Sequence, residues 1–397
     1  MPMDDAVILS YARTAIGDAF KGSLASTSIY DLGRAAVTEA LKRSGVEADA
    51  VDDIILGEVL QGGGDIARYV AVELGVTDVP GMAVMRACAS GLQAVCSAAG
   101  SIMAGMDRCV IAGGVESMSS APSSFKRGAD GELVPWMSDS HPATDDAPNR
   151  NMGVTVGENT AASAGVSRRE QDEWALASHQ RAVAAIDAGR LAEEIVPVEV
   201  ADGMLGPNER TRMRIFDADE HPRRDTTLEK LATLPARFKE GGTVTAGNSS
   251  SLNDGAAAMV VAAASLARSS GLKPLAVIRG WASVGVPPRD TGLAPTLAIP
   301  KALSRAGISA SDIKLVEINE AFAAMAVACS RILGFPHDIV NVNGGAVGLG
   351  HPVGASGARV LGTLVMELRR RGGGFGVASL CAGGGMGSAA VVEVPAD

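Results

Sequence analysis

Residues 31–45 (DLGRAAVTEALKRSG) put Leu32, Ala36, Val37 and Leu41 on one face at helical spacing, with polar residues elsewhere. Apolar side chains recurring every three to four positions bury one stripe of a helix, so this segment predicts an amphipathic helix. Asp31 stands where an N-cap accepts from free backbone N–H groups, and Gly45 stands just past the end. The run 51–60 that follows is dense in Val, Ile and Leu and predicts a buried strand. A helix feeding a buried strand is the signature of α/β units.

The pattern returns in the second half of the chain. ALKRSGVEADAVDDI (40–54) is echoed by ALSRAGISASDIKLV (302–316), with Leu41, Arg43, Gly45 and Ala48 matched by Leu303, Arg305, Gly307 and Ala310. Ala89-Ser90-Gly91 opens one Ala-rich helical run, and Ala355-Ser356-Gly357 opens another. An apolar run precedes Gly113-Gly114, and another precedes Gly383-Gly384. These echoes keep their order at offsets of about 262, 266 and 270 residues, which predicts an internal duplication. Between the halves, residues 120–245 change character, with Pro122, Pro135, Pro142, Pro148, the acidic Asp145-Asp146 and a polar helix-like stretch at 167–190. This predicts a long insertion folded over one half. The expected division is 1–119 with 246–268, then 120–245, then 269–397.

Composition narrows the function. A formal net charge of −10 argues against nucleic acid, whose phosphates need clustered Lys and Arg. The longest apolar stretch, 256–267, is short of the roughly 18–20 residues of a spanning helix, and the MPMDDA start is acidic where a signal peptide is basic. No membrane association and a cytoplasmic location are expected. Five cysteines, an odd number without a CxxC pair, predict neither a disulfide framework nor a zinc site. With 48 Gly and 3% aromatic residues, the core must be packed from small side chains.

Four segments carry candidate chemistry. Cys88, in RACASGLQAVCSAAGSIMAG (86–105), precedes a small-residue helix whose N-terminal N–H groups favour a thiolate nucleophile. His351 sits in the Gly-rich loop 341–357, where backbone can approach a ligand closely and an imidazole can act as a base toward a thiol. Cys381, in LCAGGGMGS (380–388), follows an apolar strand at 375–380 and leads into Gly383-Gly384-Gly385, whose N–H groups can form an oxyanion nest beside a proton-shuttling thiol. Asn319-Glu320, in EINEAFAA (317–324), ends an apolar strand and is read either as polar site residues or as a cap.

CASGL, NEAFA, GHPVGASG and CAGGGMG, in this order and spacing, resemble the thiolase family, as do RTAIGDAFKGSL (13–24) and TVTAGNSSSLNDGAA (243–257). The resemblance covers nearly the whole chain. It implies a five-layered αβαβα fold of two duplicated halves with an inserted loop domain. The implied activity is acyl transfer between acyl-CoA and coenzyme A, with cleavage or Claisen formation of a C–C bond. The acetyl-CoA C-acetyltransferase type is favoured over a degradative 3-ketoacyl-CoA thiolase of longer chains or a silent acyl-CoA binder, which places the chain in fatty acid metabolism. By resemblance Cys88 takes the acyl group, His351 lowers the thiol's proton affinity, and Cys381 exchanges a proton with the α-carbon of acetyl-CoA. Oxyanions fall to His351 with a water held by Asn319, and to the N–H groups of Cys88 and Gly383. Arg223, Ala246, Ser250, Ala321, Phe322 and Met152 stand at coenzyme A contacts, and Lys230 where some relatives have Ser. No metal or further cofactor is implied, and the expected assembly is a homotetramer, a dimer of dimers.

The chain departs from the family at Met85, where a small polar residue is usual, and at Thr291, often Met. Asn151 precedes Met152 in place of His, Gly348 replaces Ser or Ala, and the interface segment 61–68 is about two residues short.

Overall fold

The computed structural model describes residues 4–61, 63–202 and 212–396. The start of the acidic N-terminus (1–3), Gly62 in the shortened segment, residues 203–211 of the expected insertion and Asp397 lie outside the described residues.

The first half runs β1 (Ala6–Thr14), α1 (Ile29–Ser44), β2 (Asp53–Gly57), α2 (Ile66–Glu73), β3 (Gly81–Val84), α3 (Ser90–Met103) and β4 (Cys109–Ser117). An insertion carries the short antiparallel strands β5 (Phe125–Arg127) and β6 (Leu133–Pro135) and the long helix α4 (Arg168–Asp187), after which β7 (Asn253–Ala263) completes this half. The second half runs β8 (Ala276–Gly285), α5 (Pro295–Ala306), β9 (Ile313–Ile318), α6 (Ala323–Leu333), α7 (Ser356–Arg370), β10 (Gly374–Ala382) and β11 (Met386–Val394).

The duplication is explicit in strand order. From the junction outward, one side reads β1, β7, β4, β2, β3 and the other β8, β11, β10, β9. Val340 then bridges Val316 in parallel, as β3 pairs in parallel with β2. The register slip between Ile8 and Ser10 of β1 recurs between Ile278 and Gly280 of β8, and the halves join where Val7 and Ile8 pair antiparallel with Val277 and Ala276. A repeated bulge at a repeated position is a shared structural device of both halves.

Alternation within each strand sends side chains to two different cores. Val7 and Leu9 face an outer cluster with Leu32, Val37 and Val70 of α1 and α2, whereas Ile8 faces a central cluster with Leu92 and Val95 of α3 and Leu361 and Leu364 of α7. A third cluster packs Ile299 of α5 and Met325 of α6 on Val316, Ile318 and Val391. The result is five layers, α-β-α-β-α. The two central helices cross at matched glycines. A Cβ on Gly91 would lie 2.8 Å from the Gly354 carbonyl oxygen, and one on Gly357 would lie 2.2 Å from the Leu92 nitrogen. Only glycine allows this approach, which sets the starts of α3 and α7 side by side.

Several local expectations need correction. The α1 cap is Ser28, whose hydroxyl accepts from Tyr30 N, because the helix begins two residues before Asp31, which sits in the first turn. The strand expected over 51–60 is confined to β2, since Ala48–Ala50 forms a short 3-10 turn and Glu58 begins the next loop. β10 extends through Cys381, which pairs with Gly387, so the thiol is held by the sheet instead of by the glycine turn. The helix-like stretch at 167–190 is α4, with Ser167 and Glu170 forming a reciprocal capping box. Gly348 is required because a Cβ there would lie 2.7 Å from the Ser178 carbonyl oxygen of α4. Among the described residues no helix is long and apolar enough to cross a membrane.

Candidate active site

Cys88 lies in the short loop between β3 and α3. Ser90 fixes this loop, its hydroxyl accepting from Arg86 N at 2.8 Å and donating to the Ala87 carbonyl at 2.7 Å. Ala87 is held at φ 44, a left-handed conformation that non-glycine residues rarely adopt and that persists only where the surroundings enforce it. Met85 takes part as well, its thioether accepting from Ala87 N at 3.4 Å where a polar side chain was expected. Cys88 itself is partly exposed.

His351 begins the turn into α7. Its backbone N–H donates to Asn253 Oδ1 at 2.8 Å, and Nδ1 lies 2.6 Å from Ser356 Oγ. The Ser356 hydroxyl donates its one proton to the Pro352 carbonyl at 2.8 Å, so it must accept from Nδ1–H. Nε2 is therefore the basic nitrogen, facing Asn319 Nδ2 at 3.3 Å. Asn319 Oδ1 is buried and has no partner among the described residues. Burial, with the nearby Arg359 guanidinium, holds His351 down to about 3.

Asn319 follows β9, and its N–H donates to the Ser379 carbonyl at 2.9 Å, two residues before Cys381. Glu320 beside it is buried and accepts from Trp174 Nε1, Ser178 Oγ, Asn341 Nδ2 and Val347 N at 2.6–3.1 Å. This carboxylate ties α4 of the insertion to the glycine loop that presents His351. It resolves the Asn319-Glu320 alternative: Glu320 organises the loop, and Asn319 faces the imidazole.

The Cys381 thiol, 2% exposed, donates to Met325 Sδ at 3.3 Å. Burial pushes it well above the ordinary thiol range, and the neighbouring Cys88 and Cys329 push the same way. Gly383 stands opposite the Cys88 loop: a Cβ there would lie 3.7 Å from both Ala87 Cβ and Met152 Sδ. Burial raises the Cys88 thiol to about 11, with the Gly383 N–H pulling the opposite way. The sequence pattern anticipated a thiolate at the helix start, but desolvation outweighs those donors, so the resting pair is a neutral thiol and a neutral imidazole. The rate of Cys88 alkylation by iodoacetamide is expected to keep rising to about pH 11, where an ordinary cysteine levels off near 9; a plateau at or below 9 would contradict this.

Cys88, Cys381, Gly383 and Met152 thus gather at one point, and Asn319 with His351 joins them through the ends of β9 and β10. A second group extends away from it. Ser250 N and Oγ both donate to the Ala321 carbonyl at 3.0 Å, and Ser249 bridges Phe322, whose ring meets Phe238 edge-on. Ala246 is exposed nearby in sequence, and Arg223 lines a cavity with Ser251. Lys230 is occupied by Asp225 at 2.6 Å. Thr291 is fully buried with its hydroxyl donating to the Pro288 carbonyl, and the next residue, Gly292, accepts from the Cys329 thiol.

Sequence reasoning missed Ser356, Asn253 and Met325. Ser356 had a signal: it echoes Ser90, and both hydroxyls accept from the segment just before their helix and donate back to a carbonyl in it.

Residues 6–265 match the family model described as "Thiolase, N-terminal domain", and 272–394 match "Thiolase, C-terminal domain". The chain is 44% identical to the acetyl-CoA acetyltransferase of Escherichia coli (strain K12), across 98% of this chain and 99% of that protein. It is 42% identical to the 3-ketoacyl-CoA thiolase of Bacillus subtilis (strain 168), across 99% and 100%. Among solved structures, the Bacillus anthracis acetyl-CoA acetyltransferase superposes with a TM-score of 0.91 at 40% identity, covering 99% of each chain. Human mitochondrial 3-ketoacyl-CoA thiolase superposes with 0.90 at 37%, covering 99% and 100%.

Proposed function

Because the chain belongs to the thiolase family and has its five-layered fold, we propose that it is an acyltransferase of the acetyl-CoA C-acetyltransferase type, working on acetoacetyl-CoA and coenzyme A. The observation that carries this reading is the meeting of two thiols of different setting, Cys88 partly exposed beside a backbone N–H and Cys381 buried against Met325.

In the cleavage direction Cys88, its proton taken by His351 Nε2, attacks the C3 carbonyl. The C2–C3 bond breaks, leaving the acyl group on sulfur, and Cys381 S–H protonates C2 of the departing enolate to give acetyl-CoA. The His351 proton then passes through solvent to the Cys381 thiolate; the coenzyme A thiol gives its proton to His351 as its sulfur takes the acyl group, and His351 returns that proton to the departing Cys88 thiolate. Condensation is the reverse. A covalent thioester divides one difficult step into two easier ones. The unpartnered Oδ1 of Asn319 supports a water bound there, which with His351 Nε2–H receives one oxyanion, while the N–H groups of Cys88 and Gly383 receive the other. Ser250, Ala246, Ala321, Phe322 and Met152 are assigned to the pantetheine arm and Arg223 to the adenine end. The chemistry requires only protein groups and coenzyme A, with neither metal nor further cofactor.

A tetramer is part of the proposal. The edge of β3 that is open among the described residues, with exposed Met82 on the strand and Met85 just after it, suits pairing with a second copy, and exposed Phe125 and Leu133 on the β5–β6 pair suit a further contact. A cytoplasmic place in fatty acid metabolism belongs to the same reading. The second reading, a degradative 3-ketoacyl-CoA thiolase, is favoured by the Bacillus subtilis relative and by Thr291, smaller than the usual Met. Coenzyme A-dependent cleavage of 3-ketoacyl-CoAs of increasing length separates the two. Acetoacetyl-CoA is expected to have the highest kcat/KM; a maximum at longer chains would transfer the assignment to the second reading, and no turnover would leave a silent binder.

A further inference from the structure

Loop 17–24 is held unusually firmly for an exposed segment. Glu220 accepts from Asp18 N, Ser23 N and the Ser23 hydroxyl at 2.6–2.9 Å, Gly22 N donates to the Asp18 carbonyl, Phe20 N donates to Ser119 Oγ at 2.7 Å, and Ala19 N donates to the Leu252 carbonyl. These bonds fix Phe20 at φ 68, with the residue 66% exposed. A bulky residue in the left-handed region and an aromatic ring left in water are both unfavourable, and strain of this kind concentrates at binding sites.

Phe20 and Lys21 form one wall of a cavity of about 320 Å³ whose other walls include His221, Arg223 and Ser251. The His221 ring is fixed at 2.7 Å by Asp18 and at 3.2 Å by Ser251 Oγ. Among the described residues neither Lys21 nor Arg223 has a carboxylate within ion-pair distance. The adjacent cations differ: Arg224 is paired with Asp187 and Lys230 with Asp225. Two uncommitted cations beside a rigid exposed ring match a ligand with a flat base and a phosphate. Ser251 directly follows Ser250, which places the cavity next along the chain to a residue assigned above to pantetheine. Its volume is at the small end of ligand sites, suited to the end of a coenzyme and not to the whole of it.

Resting on the coenzyme A reading, we propose that Phe20 and Lys21 form a nucleotide clamp in which Phe20 packs on the adenine and Lys21, with Arg223, binds the ribose 3′-phosphate. Lys21 thereby makes the enzyme discriminate coenzyme A from dephospho-coenzyme A. Both residues are on the surface, so their substitution leaves the fold intact.

The test compares KM for coenzyme A and for dephospho-coenzyme A in acetoacetyl-CoA cleavage. Lys21→Ala should raise KM for coenzyme A by about tenfold, the worth of a charge-assisted hydrogen bond, without changing kcat or the KM for dephospho-coenzyme A. Phe20→Ala should raise both KM values. An equal effect of Lys21→Ala on the two substrates, or no effect on either, would overturn the clamp. Calorimetric titration of the wild type and Lys21→Ala with adenosine 3′,5′-bisphosphate needs no turnover and separates failure of the clamp from failure of the catalytic reading. Binding weakened by Lys21→Ala supports the clamp, and unchanged or absent binding refutes it.

Discussion

Cys88→Ala is expected to lower the kcat of acetoacetyl-CoA cleavage by about 10⁴-fold or more, the scale on which loss of a covalent nucleophile falls. No other group can replace it. Cys381, the other thiol assigned to the site, is 2% exposed, committed to Met325, and pushed by burial well above the ordinary thiol range. His351 Nε2 is unprotonated, but its ring is fixed by Ser356 in an orientation suited to taking a proton. Cys88→Ala removes one sulfur atom and keeps the Cβ, so the cavity left is small and the melting temperature should fall by no more than a few degrees. Retention of more than a tenth of the wild-type rate by a folded variant would remove Cys88 from the mechanism.

Cys381→Ala should divide the reaction. Acylation of Cys88 by acetyl-CoA should survive within about threefold, while condensation and exchange of the acetyl-CoA α-protons with deuterium should fall by about 10³-fold, in the range typical of general acid–base groups. The division follows from position. Cys381 lies near the end of β10, where it is proposed to meet the α-carbon of a second thioester, and among the described residues its thiol bonds Met325 and neither Cys88 nor His351. Proton NMR of acetyl-CoA in D2O reads the exchange, and rapid-quench labelling reads the acylation. Undiminished exchange would deprive Cys381 of its role.

The large features of this architecture were written in local pattern. Helix α1 followed from the spacing of Leu32, Ala36 and Val37, and the duplication from echoes that became matched strands, matched bulges and matched crossing glycines. Motif order singles out Cys88, His351, Cys381 and Asn319 as candidates without any reference to the fold. The missing information depended on contacts distant in sequence. The Nδ1–H tautomer of His351 rests on Ser356 and Pro352 acting together, and the anchoring of its loop rests on Glu320 meeting Trp174 and Ser178 from the insertion. A helix start beside Cys88 suggested a thiolate, whereas burial raises that thiol against the pull of the Gly383 N–H. Burial is a sum over neighbours, and no local motif encodes it.

Acyl transfer through Cys88 is tested most directly by mass spectrometry of the protein after incubation with acetyl-CoA alone. The mechanism predicts one acetyl group per chain, on the peptide carrying Cys88, discharged on adding coenzyme A. Acetylation confined to any other residue, or none at all in protein that cleaves acetoacetyl-CoA, would contradict it.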